Sequence, residues 1–137
     1  MALPPLRLDG TLPPGEHAIT VIDEVFVLFP ASNARRAVLN SALTLLLEVA
    51  SRLKIGTSVV IDGSYITSKP EPEDIDIALL STGQNETVTL QRLHAEGIDL
   101  VLLDIFVSTT QADFDRWRQF FSADRTGQAR GVVTYTL

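Results

Sequence analysis

Cysteine is absent from the 137 residues, so neither a disulfide nor a thiolate metal centre is available to this chain. Histidine occurs only at His17 and His94, far apart in sequence, which argues against a zinc site. Basic residues are scarce: 11 Lys and Arg against 17 Asp and Glu leave a net charge of −6, the wrong sign for a sequence-independent grip on a polynucleotide. The densest arginine group, Arg116, Arg118, Arg125 and Arg130, is interleaved with Asp113, Asp115 and Asp124. No apolar run approaches the ~20 residues that span a bilayer, and the opening MALPPLRLDG lacks the basic start and apolar centre of an export signal. A single cytoplasmic domain is expected, too short to carry a separate substrate-binding module, with neither a membrane nor a nucleic acid as partner.

What is present is organised around Val59 to Leu80, VVIDGSYITSKPEPEDIDIALL. The β-branched run Val59-Val60-Ile61 predicts a strand that stops at Asp62-Gly63-Ser64, where a glycine allows a sharp turn. The second run alternates Asp74-Ile75-Asp76-Ile77. On a strand this places Asp74 and Asp76 on one face, with Cα atoms roughly 6.5–7 Å apart, while Ile75 and Ile77 point into the core. Two carboxylates so placed repel unless a proton or a hard divalent cation sits between them. Backbone N–H groups at the Gly63-Ser64 turn favour an anionic phosphate, and Lys69 in the connecting loop is a further phosphate neighbour. The connection is too short for an ordinary helical crossover, which predicts an antiparallel pair.

Residues 1–18 hold four prolines and read as an extended arm, with the domain proper at 19–137. The run TVIDEVFVLF at 20–29 suits a short helix capped by Thr20 with Asp23 in capping-box spacing, or a strand. Ser32 or Asn33 can cap a helix to about Leu53 with a stripe of Val38, Leu39, Ala42, Leu45, Leu46 and Val49. A helix is expected over 86–95, closed by Gly97, then a buried strand over 98–108. That strand carries Asp99 and Asp104, five apart and so on opposite faces. Asp104, in mid-strand among apolar neighbours, is the candidate third carboxylate, because a charge there needs a metal or an ionic partner such as a C-terminal arginine. The amphipathic segment 111–122, with Phe114, Trp117, Phe120 and Phe121, predicts a helix whose aromatics serve the core, and 131–137 a last strand. The expected fold is an α/β (α+β) sandwich: a mixed sheet of four or five strands, helices on one face, the site on the other face or at the edge.

Gly63-Ser64, nine intervening residues, then Asp74-x-Asp76 with apolar flanks resembles the signature of the DNA polymerase beta-like nucleotidyltransferase superfamily. The whole chain also resembles a family of small bacterial proteins assigned to it, through Leu12-Pro13-Pro14-Gly15-Glu16-His17, Asp62 to Lys69, Asp74 to Asp76 and Phe120 to Gly127. Arg130-Gly131 stands where that family leads one to expect Lys-Gly. The resemblance implies a Mg²⁺- or Mn²⁺-dependent transfer of a nucleoside monophosphate from a nucleoside triphosphate to a hydroxyl. In it Asp74, Asp76 and Asp104 hold metal, Asp104 serves the nucleophile, and Gly63 and Ser64 cradle the triphosphate. The acidic surface suits a hydroxyl on a protein or small molecule, and minimal members of the superfamily act as antitoxins on a toxin partner. A non-catalytic binding partner that keeps the fold is the alternative. Three consecutive leucines, Leu45 to Leu47, widen the helix stripe and suggest a homodimer with the arm across a neighbouring subunit or along its own sheet edge.

Overall fold

The computed structural model describes residues 3–124 and 126–137; Arg125 of the arginine group, and Met1 and Ala2 of the arm, lie outside the described residues. The elements run β1 (Gly15–Ile19), α1 (Asp23–Leu28), α2 (Ala34–Arg52), β2 (Gly56–Asp62), a 3-10 turn (Ser64–Ile66), β3 (Ile75–Ser81), α3 (Glu86–Ala95), β4 (Leu103–Ser108), α4 (Gln111–Phe121) and β5 (Gly131–Thr136). Side-chain caps start three of the helices. Asn33 accepts from the Arg36 N–H, Asn85 from Val88 and Thr110 from Asp113, each supplying an acceptor to an amide that has no partner inside its helix. Gly97, at φ +88°, closes α3 in the left-handed conformation that a side chain resists. The run after Thr20 is a helix, but its cap differs from the expected pairing with Asp23. The longer Glu24 side chain reaches back to accept from the Thr20 and Val21 N–H groups.

The five strands form one mixed sheet in the order β1-β5-β2-β3-β4. β2 is antiparallel to both β3 and β5, whereas β1 pairs parallel with β5 and β3 parallel with β4, the latter across the crossover helix α3. The arm is therefore incorporated rather than loose. Its end forms β1 along its own sheet edge, across the 18/19 boundary read from sequence, and Leu12 is buried in the core. Where it passes the start of β5 the fit is tight enough to require glycine: a Cβ on Gly131 would lie 2.2 Å from the Pro13 carbonyl oxygen.

Helices do not lie on one face only. Val59, Ile61, Ile77, Leu79 and Ile105 pack with Leu39, Leu43 and Leu46 of α2, while Val60, Ala78 and Val132 pack on the opposite side with Phe114 and Phe121 of α4. The reason is visible in the strands, whose middles are apolar at successive positions and so present two faces that need cover. α4 thereby shares its face with the candidate acids, which have the same parity as Val60 and Ala78. The α2 stripe is also rotated from the expected one. Leu43, Leu47 and Ala50 join Leu39, Leu46 and Val49 in burial, and Val38 and Leu45 face outward. Leu46 and Leu47 belong to the protomer's own core, so of the leucine run only Leu45 is placed for contact with a neighbour. The 98–108 strand starts late, at Leu103, because the Asp99 carboxylate accepts from the Val101 and Leu102 N–H groups and folds the chain into a turn.

Candidate active site

Parallel pairing of β3 with β4 sets Asp76 directly beside Asp104, and antiparallel pairing of β2 with β3 sets Asp62 beside Asp76. Asp74 lies one residue before β3 and points to the same side by parity. The result brings one carboxylate oxygen each from Asp74, Asp76 and Asp104 within 4.8 Å of one another. Their odd-numbered neighbours Ile75, Ile77, Leu103 and Ile105 are buried in the core beneath, which holds the register. Asp104 is exposed, not sunk in an apolar strand as expected, because it is only the second residue of β4.

Crowding and burial act on these acids together. Burial first, then the charges of Asp74, Asp104 and Asp62, push the Asp76 carboxyl up to about 6, with Arg130 opposing. Burial, then Asp104 and Glu73, raises Asp74 against the pull of Lys69, and burial raises Asp62 against Arg130. Three hard oxygen donors side by side, with Asp74 and Asp76 held back from ionising, fit a hard divalent cation, which removes the repulsion without a proton. In metal-free buffer the Asp76 shift has a definite sign. Between pH 4 and 6, roughly, the unfolded carboxyl is ionised while the folded one keeps its proton, so stability falls as pH rises through that window. Allowing for partial exposure to solvent, Asp76→Asn should gain about 1–2 kcal/mol over wild type at pH 7.5 and only about a third of that at pH 4.5, as read from urea midpoints in EDTA.

Gly63 carries the turn at φ +91°, a backbone conformation that demands glycine, and a Cβ there would lie 2.9 Å from Asp76 Oδ2 and push that carboxylate aside. Gly63, Ser64 and Lys69 line a cleft of about 470 Å³ together with Asp74 and Asp76. Asp104 opens onto a second cleft, about 640 Å³, whose other wall is Phe106, Phe120 and Phe121. Asp76, Asp124 and Arg130 border both, so the carboxylates form a partition between two recesses.

Two contributors escaped the sequence reading. Asp62, which the sequence marks only as a strand end, is a buried fourth carboxylate. Its Oδ1 lies 3.2 Å from Arg130 Nη2 at ion-pair distance but without an aligned hydrogen bond, and Arg130 also donates to the Gly63 carbonyl at 3.3 Å. The residue that replaces the expected lysine thus neutralises Asp62, and Arg130 goes there and not to Asp104. Arg36 is the other. From the first turn of α2 it donates to the carbonyls of Tyr65 (2.8 Å), Thr67 (2.7 Å) and Lys69 (2.7 Å), while Asn33 Nδ2 donates to the Pro70 carbonyl (2.6 Å). The guanidinium sits against the Phe29 and Tyr65 rings, and the Tyr65 hydroxyl donates to Asn40. The loop that follows the Gly-Ser turn is therefore fastened to a helix along its length.

On α4 the arginines are engaged in ion pairs: Arg116 with Asp113, and Arg118 with Asp115 and Glu16. His94 is exposed on α3, and the ring of His17 bonds the Pro13 carbonyl at 2.7 Å. Among the described residues no helix is long and apolar enough to cross a membrane. No curated protein and no solved structure matches the chain. Residues 4–136 match the family described as "Family of unknown function (DUF6932)", and with nearly its whole length covered the chain belongs to that family.

Proposed function

We propose that the protein is a divalent-metal-dependent nucleotidyltransferase that moves a nucleoside monophosphate from a nucleoside triphosphate to a hydroxyl of a protein or small molecule. The observation that carries this reading is the convergence of Asp74, Asp76 and Asp104 within 4.8 Å beside a turn at which glycine is obligatory. Those three carboxylates would hold Mg²⁺ or Mn²⁺, which supplies positive charge against a triphosphate and lowers the pKa of a bound hydroxyl. Backbone N–H groups at Gly63 and Ser64 and the Lys69 ammonium offer donors to phosphate oxygens in the first cleft. Asp104, exposed toward the second cleft, would take the proton of an acceptor hydroxyl entering from that side. The acceptor oxygen then bonds to the α-phosphorus as the bond to pyrophosphate breaks.

Thermal unfolding with Mg²⁺ or Mn²⁺ and each of ATP, GTP, CTP and UTP tests the binding half of this reading. A nucleotide in hundredfold excess over its dissociation constant should stabilise the fold by about 2.7 kcal/mol, only when metal is present. Asp74→Asn and Asp104→Asn should abolish that gain. A wild-type protein indifferent to metal with every nucleotide would overturn the proposal.

A further inference from the structure

We infer that Arg7, from the N-terminal segment ahead of β1, binds the phosphate end of a polyphosphate ligand in the Gly63-Ser64 cleft, so that this segment completes the site; the inference rests on the nucleotide reading above. Residues 7–11 close on themselves, with the Arg7 N–H donating to the Thr11 carbonyl (2.8 Å) and the Gly10 N–H to the Arg7 carbonyl (2.9 Å). This turn is pinned to the loop that carries Lys69. The Ser68 N–H donates to the Gly10 carbonyl at 2.8 Å, Thr11 bridges Thr67, and Gly10 sits so close that a Cβ would lie 1.9 Å from Ser68 Oγ. Arg7 and Lys69 are thus brought to one cleft by two segments bonded to each other, with Arg130 on its border.

What Arg7 touches singles it out. Arg116 and Arg118 hold carboxylates at 2.8 and 2.5 Å, whereas Arg7 directs Nε and Nη2 at one neutral hydroxyl, Thr11 Oγ1 (3.2 and 2.8 Å), with the Asp9 carboxylate 3.6 Å away. Asp9 itself is engaged by the Thr11 N–H and hydroxyl, and Asp124 on the cleft border by Thr126 and Gln128. A guanidinium has five donors and matches phosphate oxygens in pairs, so the cleft gains a bidentate cation whose present partner is a weak competitor for it.

Two titrations of the full chain test this: Mn²⁺ alone, followed by electron paramagnetic resonance, and inorganic tripolyphosphate with Mg²⁺, followed by calorimetry. Arg7→Ala should weaken tripolyphosphate about tenfold to a hundredfold and leave Mn²⁺ affinity unchanged, with Arg7→Lys in between. Thr11→Val, paired with Asp9→Asn because the Thr11 hydroxyl also holds the Asp9 carboxylate, removes the brace and should bind tripolyphosphate as well as wild type. Unchanged tripolyphosphate affinity in Arg7→Ala, or an equal loss in the paired variant, overturns the inference and leaves the metal site standing. Failure of wild type to bind Mn²⁺ overturns the metal reading itself.

Discussion

Arg36→Met is expected to cost about 3 kcal/mol of stability, because it strips the donor from the carbonyls of Tyr65, Thr67 and Lys69 at once and each carbonyl left without a partner costs at least about 1 kcal/mol. For a domain of this size that is a fall of roughly 10 °C in melting temperature. Arg36→Lys should recover little. An ammonium cannot span three carbonyls along a planar fork while sitting against the Phe29 and Tyr65 rings. The same variant should lose tripolyphosphate affinity while keeping Mn²⁺, since the released segment carries Lys69 and contacts the arm, whereas Asp76 and Asp104 stand on strands that Arg36 does not touch and Asp74 directly precedes one of them. A loss below 1 kcal/mol would mean that water or another donor satisfies those carbonyls.

Arg130→Met should be as damaging, and in a pH-dependent way. It leaves Asp62 buried beside Asp76 with no counter-charge, a change that typically costs about 3–5 kcal/mol when one partner of a buried pair is removed. Both carboxyls are already raised by burial, and without the guanidinium they rise further. The folded variant then holds protons that the unfolded chain has lost, so the deficit should be large at pH 7.5 and shrink toward pH 5, where protonation removes the charge. Adding Asp62→Asn to Arg130→Met should restore most of the loss at pH 7.5. Chemical denaturation at the two pH values decides it: a deficit equal at both would show that Arg130 acts through packing and not through charge.

The parts of the site that could be read from sequence are those whose chemistry is local. Gly63 with Ser64 is a turn signal, and Asp74-x-Asp76 between isoleucines fixes which way the acids point, so both survive into the structure unchanged. Asp104 was reachable by parity, although the reason offered, burial in mid-strand, is not the reason it is there. Asp62 was hidden because its importance comes from pairing across the sheet with Asp76, a register that no run of letters displays. Arg36 and Asn40 were hidden for a related reason. They occupy what periodicity assigns to the polar side of α2, yet both are buried because their partners are backbone and tyrosine groups brought from the far end of β2. The placement of α4 on the opposite sheet face was legible in principle, since strand middles apolar at successive positions need two covers, and the aromatic helix was the one available.

The position of β5 between β1 and β2 has a consequence for how the protein is made. During translation β1 leaves the ribosome first and finds no strand to pair with, because its partner, Gly131–Thr136, follows more than a hundred residues later. Until then the edge of β2 is open, and four carboxylates assemble on the nascent sheet without the guanidinium of Arg130, which immediately precedes that last strand. Closure of the sheet and neutralisation of its acidic row are one late event, so an emerging chain that stalls before Arg130 is both unpaired at its edges and electrostatically uncompensated.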